Sequence, residues 1–156
     1  MAQLLRVGVI GSHECDEGTA DIARRVGELV AGAGAALVCG GLGGVMQAAA
    51  EGARNAGGIT VGILPGGDAG AANPGIMIAI PTGLGEARNA LVVGASDAVI
   101  AIAGGWGTLS EAAFCLKNGV PLIMLRSELP PLPVPEAESA EEAVEWALAE
   151  ATKAKG

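Results

Sequence analysis

The residues of this sequence that could do chemistry follow short apolar segments, and residues 97–111 are the clearest case. This stretch reads DAVIAIAGGWGTLSE, an apolar run at 98–103 followed by a glycine loop and a helical pattern that begins at Thr108. Glycine lets the backbone turn sharply and approach a ligand closely. A helix that starts at the carboxyl end of a parallel strand presents unpaired N–H groups and a partial positive charge. The stretch therefore predicts an anion site, most often one for phosphate.

Two further loops follow predicted strands in the same way. Residues 36–39 form an apolar run, 40–44 read GGLGG, and a helical pattern covers 45–56. Gly11 and Ser12 follow the first predicted strand, where the dinucleotide fingerprint GxGxxG is missing. The sequence also lacks GxxxxGKS and GxxxxGKT, which disfavours kinase or ATPase activity. Ligands of such sheets bind outside the carboxyl ends of the strands, so all three loops are candidates for the site.

Arg88 and Glu111 are the charged residues of interest. An Arg in the first turn of a helix opposes the helix dipole by about 0.3 to 1 kcal/mol, so the position of Arg88 suggests a partner. That partner is either a ligand or Glu111, or else Arg88 pairs with Glu86 or Asp97. Thr108 and Glu111 also have capping-box spacing, a structural role that needs no substrate.

The three cysteines and the single histidine indicate neither a disulfide framework nor a metal site. Cys15, Cys39 and Cys115 are odd in number and far apart, which favours a reduced, cytoplasmic setting. No CxxC pair is present, so we expect no bound metal. His13 and Cys15 could form a nucleophilic pair, but no third group that would orient them is visible, and we disfavour this alternative.

The apolar runs and helical patterns alternate along the chain. Predicted strands cover residues 5–10, 36–39, 59–64, 76–80, 98–103 and 120–125. Predicted helices cover 17–33, 45–56, a segment opened by 81–85, a segment from Thr108, and 140–153, where Ser139 and Glu142 have capping-box spacing. A proline-rich connector spans 130–135. This alternation predicts one Rossmann-like domain over 1–156, with about six mainly parallel strands and helices on both faces of the sheet.

Charge and helix composition limit the partners. A net charge of −8 argues against a nucleic-acid surface, which needs clustered Lys and Arg. The sequence has no signal peptide and no apolar run of membrane-spanning length. Alanine-rich helices at 45–56 and 109–116 are apolar on more than one side, which predicts a homodimer or homotetramer.

The segments GGLGGVM, PTGLGEARN and AGGWGTLSE together resemble a known family. The sequence is similar to the LONELY GUY-like proteins of the SLOG superfamily, often misnamed lysine decarboxylases. Their pattern is a GGGxxGLM loop, an Arg-containing helix start and a PGGxGTxxE loop, in the same order. The RN dipeptide and the short length resemble the branch that contains molybdenum-cofactor carrier proteins. The enzyme branch has Lys where this chain has Asn89, and Pro where it has Ala103.

The resemblance implies binding of a phosphorylated heterocycle, nucleotide-like or molybdopterin-like, with no required cofactor and with the molybdenum cofactor as possible cargo. In the enzyme branch, the residues that match Arg88 and Glu111 help to cleave the N-glycosidic bond of a nucleoside 5′-monophosphate, which releases a free base and ribose 5-phosphate. This phosphoribohydrolase activity is the alternative function, with Arg88 and Glu111 as catalytic residues. From the resemblance and the three loops, the predicted ligand-binding residues are Gly11, Ser12, Gly40, Gly41, Gly43, Gly44, Val45, Met46, Asn89, Gly104, Gly105, Gly107 and Thr108.

Overall fold

Seven parallel strands form the central sheet, in the order β4-β3-β2-β1-β5-β6-β7. The computed structural model describes residues 3–155. The strands are β1 (Arg6–Gly11), β2 (Ala36–Cys39), β3 (Thr60–Leu64), β4 (Ile78–Pro81), β5 (Ala98–Ile102), β6 (Leu122–Leu125) and β7 (Glu136–Ala137). The chain builds β1 to β4 outward in one direction and then returns to place β5 on the other side of β1. This arrangement confirms the predicted doubly wound α/β fold.

Within residues 3–155, five α-helices cover the two faces of the sheet. They are α1 (Glu17–Gly32), α2 (Val45–Asn55), α3 (Asn89–Gly94), α4 (Trp106–Asn118) and α5 (Ala140–Lys155), with 3₁₀ turns at Ala69–Ala71 and Gly85–Arg88. One apolar core lies beneath α1, α2 and α5, and the other lies beneath α3 and α4. All five residues of β5 are buried, because the strand lies between β1 and β6 and is covered on both sides.

Glycine and alanine allow α1 and α2 to pack unusually close together. A Cβ atom added to Gly27 would lie 2.0 Å from the carbonyl oxygen of Ala49, and one added to Gly52 would lie 2.0 Å from that of Arg24. Side chains at these two glycines would therefore push the helices apart. With few aromatic residues available, the core depends on such backbone approach and on small aliphatic side chains.

The structure differs in detail from the predictions at three places. The sheet has seven strands, where about six were predicted, because Glu136–Ala137 at the end of the proline-rich connector pairs with Met124 and Leu125 of β6. The fourth helix begins at Trp106, two residues before Thr108, so Thr108 lies inside its first turn and does not form a cap with Glu111. The segment after β4 forms a 3₁₀ turn before the short α3. At α5 the predicted cap is present, since the N–H of Glu142 donates to Ser139 Oγ at 3.1 Å.

No helix within residues 3–155 combines the length and the apolar character needed to cross a membrane.

Candidate functional site

A cavity of about 440 Å³ lies at the carboxyl edge of the sheet, beside the ends of β1 and β5. This is the point where the order of strands reverses, the usual ligand position in doubly wound sheets. Nine of the fifteen predicted site residues line this cavity, namely Gly11, Ser12, Met46, Arg88, Asn89, Gly105, Gly107, Thr108 and Glu111. The fold thus brings together residues from four separate segments of the chain.

The start of α4 forms one wall of the cavity. Its N-cap, Gly105, has no side chain that could accept a hydrogen bond from the first turn. The first backbone hydrogen bond of the helix runs from Leu109 N–H to the Gly105 carbonyl at 2.9 Å. The N–H groups of Trp106, Gly107 and Thr108 precede that bond, so the helix itself offers them no acceptor. They present donors and the positive end of the helix dipole at the cavity.

Arg88 lines the same cavity from the turn that leads into α3, and it is buried despite its charge. Its Nη1 donates to the Oδ1 atom of Asn89, and the amide nitrogen of Asn89 donates to Ser110 Oγ at 3.0 Å. The Arg88 Nε atom is buried and has no hydrogen-bond partner. Among the ion pairs of residues 3–155, none joins the guanidinium to Glu86 or Asp97, the partners of one alternative, and Asp97 pairs with Arg6 and Lys155 instead. A buried guanidinium with a donor unused can bind an anion.

Glu111 contributes the buried carboxyl group of the cavity wall and is 7% exposed. Burial raises its pKa from 4.5 to about 7, and the nearby positive charge of Arg88 opposes this rise only in part. Among the ion pairs of the described chain, none joins Glu111 to Arg88. Near neutral pH the carboxyl group therefore exists in both protonation states, which suits a group able to exchange a proton.

Ser12 connects the loop after β1 to the loops after β2 and β5 through its backbone and side chain. Its carbonyl oxygen accepts from Val45 N–H at 3.0 Å, and its Oγ atom accepts from Gly104 N–H at 2.9 Å. These bonds hold the loops after β1, β2 and β5 at fixed separations. They also occupy the N–H groups of Val45 and Gly104, which are consequently not free donors for a ligand.

Six predicted site residues do not line this cavity, namely Gly40, Gly41, Gly43, Gly44, Val45 and Gly104. A Cβ atom on Gly40 would lie 2.8 Å from Arg88 Nη1 and from the sulfur of Met46, so this glycine makes room for both side chains. Gly44 has a φ of 61°, and a Cβ atom there would lie 2.3 Å from the Ser12 carbonyl oxygen. Gly40 and Gly44 therefore support the packing around the cavity, and direct ligand contact by the six residues stays a prediction.

Five lining residues were not assigned to the site from the sequence, namely His13, Leu42, Pro65, Glu86 and Trp106. Pro65 directly follows β3, and Leu42 lies in the GGLGG loop after β2. Their positions just after strand ends are the signal that could have identified them. Burial and the charges of Asp16 and Glu17 raise the pKa of Cys15, which disfavours a reactive thiolate beside His13. Burial also raises the pKa values of Cys39 and Cys115 to about 12.

The fold and the cavity define a Rossmann-like protein with a ligand site at the point where its strand order reverses. The model of the SLOG cluster4 family matches residues 4–154, and the chain belongs to this family. The predicted membership of the SLOG superfamily is thereby confirmed.

Known proteins resemble this chain along nearly its whole length. An uncharacterized protein of Archaeoglobus fulgidus is 45% identical over 154 residues, which cover 97% of this chain and 99% of that one. The structure of the molybdenum cofactor binding protein of Rippkaea orientalis is similar with a TM-score of 0.89 and 37% identity, over 96% of this chain and 98% of that one. The molybdenum cofactor carrier protein of Chlamydomonas reinhardtii gives a TM-score of 0.86 and 29% identity, over 96% and 99%.

Proposed function

We propose that this protein binds a phosphorylated heterocyclic ligand in the cavity beside β1 and β5, with the molybdenum cofactor as its cargo. The observation that carries the proposal is the convergence of two kinds of donor on one cavity. The first turn of α4 offers N–H groups without a side-chain cap, and the buried Arg88 has an unpaired Nε atom. Together these donors suit the oxygens of one phosphate group.

The choice of cargo is supported by the similar proteins from Rippkaea orientalis and Chlamydomonas reinhardtii, which bind or carry the molybdenum cofactor. That cofactor combines a pterin ring system with a phosphate, so it fits a cavity with anion donors and apolar wall residues. Leu42, Met46 and Pro65 supply the apolar part of the wall. A volume of about 440 Å³ is within the usual range for small-molecule sites.

Native mass spectrometry of the purified protein, followed by calorimetry with pterin phosphates and nucleoside monophosphates, tests this function. We expect Arg88→Ala to weaken binding at least tenfold, because a charge-assisted hydrogen bond contributes about 1.5 to 3 kcal/mol. Arg24→Ala is the matched control, since it also removes one positive charge but lies on α1, outside the residues that line the cavity. Failure of every phosphorylated heterocycle to bind would refute the proposal.

Phosphoribohydrolase activity is the second candidate, and the position of Glu111 favours it. Cleavage of an N-glycosidic bond builds positive charge on the ribose, which an ionised Glu111 would stabilise. Arg88 lines the same cavity and can hold phosphate or ribose oxygens. Against turnover, Asn89 is neutral and engaged by both Arg88 and Ser110. Incubation with AMP decides the matter, because release of adenine and ribose 5-phosphate that Glu111→Gln abolishes would identify an enzyme.

We also propose that the protein forms a homodimer or homotetramer through the open side of β4. Ile78 and Ile80 of this edge strand are 46% and 44% exposed, and Leu91 of α3 is 44% exposed. The register of β4 places both isoleucines on the sheet face that α3 and α4 cover elsewhere. Residues 69–85 and 89–96 carry no charge, in a chain with a net charge of −8, so two copies can meet here without like-charge contact.

The setting we propose is the cytoplasm, with no nucleic-acid partner. The three cysteines are free, and the excess of acidic residues disfavours contact with a phosphate backbone.

A further inference from the structure

Among residues 3–155, Trp106 is the aromatic residue that is highly exposed to solvent, at 86%. The chain contains no tyrosine and has two other aromatic residues, Phe114 and Trp146. Phe114 packs against the core beneath α3 and α4, and Trp146 packs against the opposite core. Single exposed apolar residues are common on protein surfaces, so the exposure of Trp106 alone does not indicate a function. Its position beside the candidate site does.

Trp106 lines two cavities that share part of their walls. Trp106 and Gly105 line the cavity described above, and they also line a second cavity of about 380 Å³ with Leu109, Leu129 and Pro130. The chain neighbours of Trp106 are Gly105 and Gly107, which carry no side chains. Because Trp106 is so exposed, its indole is left largely uncovered and a planar group has space beside it.

The same residue also contributes to the anion donors. The N–H group of Trp106 belongs to the uncapped first turn of α4, while its indole extends from the first residue of that helix. A phosphate held at the helix start would place the rest of its molecule next to the indole. Indole faces stack well on flat heterocycles because both carry extended π systems.

We infer that Trp106 stacks on the ring of the bound ligand and makes the site selective for phosphates that carry a planar heterocycle. This inference rests on the proposed function and assigns part of it to one side chain. The donors of α4 and Arg88 would bind the phosphate of any such molecule. Trp106 would distinguish ring-bearing phosphates from aliphatic ones.

The test compares binding of AMP, flavin mononucleotide and ribose 5-phosphate by calorimetry. Loss of one stacking contact weakens binding by about 5- to 150-fold. We therefore expect Trp106→Ala to raise the Kd for AMP or flavin mononucleotide at least fivefold and to leave the Kd for ribose 5-phosphate unchanged. Trp106→Phe keeps an aromatic face and should restore the Kd to within about threefold of the native value.

A fluorescence experiment gives an independent readout. In the Trp146→Phe variant, Trp106 is the remaining tryptophan, so its emission reports on stacking directly. We expect AMP to quench this emission and ribose 5-phosphate to leave it unchanged.

The possible failures are distinguishable. If AMP binds and Trp106→Ala leaves its Kd unchanged, the stacking inference is wrong and the proposed ligand site stands. The inference is equally wrong if the variant weakens ribose 5-phosphate as much as AMP, because Trp106 would then support the phosphate site only. If none of the three probes nor any pterin phosphate binds, the proposed function and the inference both fail.

Discussion

Replacement of Glu111 by glutamine should stabilise the protein increasingly as pH rises above 4.5, with the full effect above pH 7. The carboxyl group lies on α4 with 7% exposure, and burial raises its pKa from 4.5 to about 7. Glutamine has nearly the same shape but carries no titratable proton. The substitution therefore removes the cost of a buried charge while leaving the packing around α4 in place.

The sign and size follow from the two pKa values. Below pH 4.5 the carboxyl group is protonated in the folded and the unfolded chain, so Glu111 and its glutamine replacement should differ little. Between pH 4.5 and about 7 the unfolded chain releases the proton while the folded chain retains it, and the free energy of unfolding falls as pH rises. The full difference above pH 7 corresponds to about 3 kcal/mol. The glutamine variant avoids this loss.

Urea unfolding followed by circular dichroism, at half-unit steps from pH 4 to pH 9 and at one protein concentration, measures the effect. We expect the stability difference between Glu111→Gln and the native chain to be near zero at pH 4 and to approach about 3 kcal/mol at pH 8.5. Glu145→Gln on the exposed side of α5 is the matched control and should show no such dependence. A difference that does not change with pH, or a glutamine variant that is less stable at pH 8.5, would refute the reasoning.

Two further predictions concern packing and assembly. Gly27→Ala should destabilise the fold by about 1 to 3 kcal/mol, because the new methyl group meets the backbone of α2. Gly32→Ala in the same helix has open space around it and should instead stabilise by about 0.5 to 1 kcal/mol, and thermal denaturation compares the two. Leu91→Glu should shift light-scattering masses toward the monomer at micromolar concentration, whereas Leu4→Glu, also 44% exposed in the native chain, should not. A native chain that is already monomeric there would contradict the proposed interface.

Several features could be predicted because their signals are local in the chain. The apolar run of β5 and the glycines after it indicate a buried strand that ends in a turn, whatever lies nearby. The spacing of Ser139 and Glu142 likewise predicts the start of α5, since a helix cap involves residues three apart. The alternation of such segments determines the parallel doubly wound sheet, because short crossovers leave few other topologies. The three glycine loops fall at one edge of that sheet for the same reason.

Other features depend on which distant segments become neighbours. The two residues of β7 have no periodic pattern of their own and become a strand only because β6 offers a free edge. Arg88 has several possible partners in the sequence, and the fold selects Asn89 while Arg6 and Lys155 take Asp97. The raised pKa of Glu111 likewise depends on the burial that α4 acquires within the folded protein. Sequence alone thus determined most of the elements and the edge where the glycine loops lie, since hydrogen-bonding periods and turn preferences act over a few residues. Burial and the pairing of charges were decided by the tertiary structure, because desolvation and Coulomb interactions depend on every group that surrounds a side chain in space.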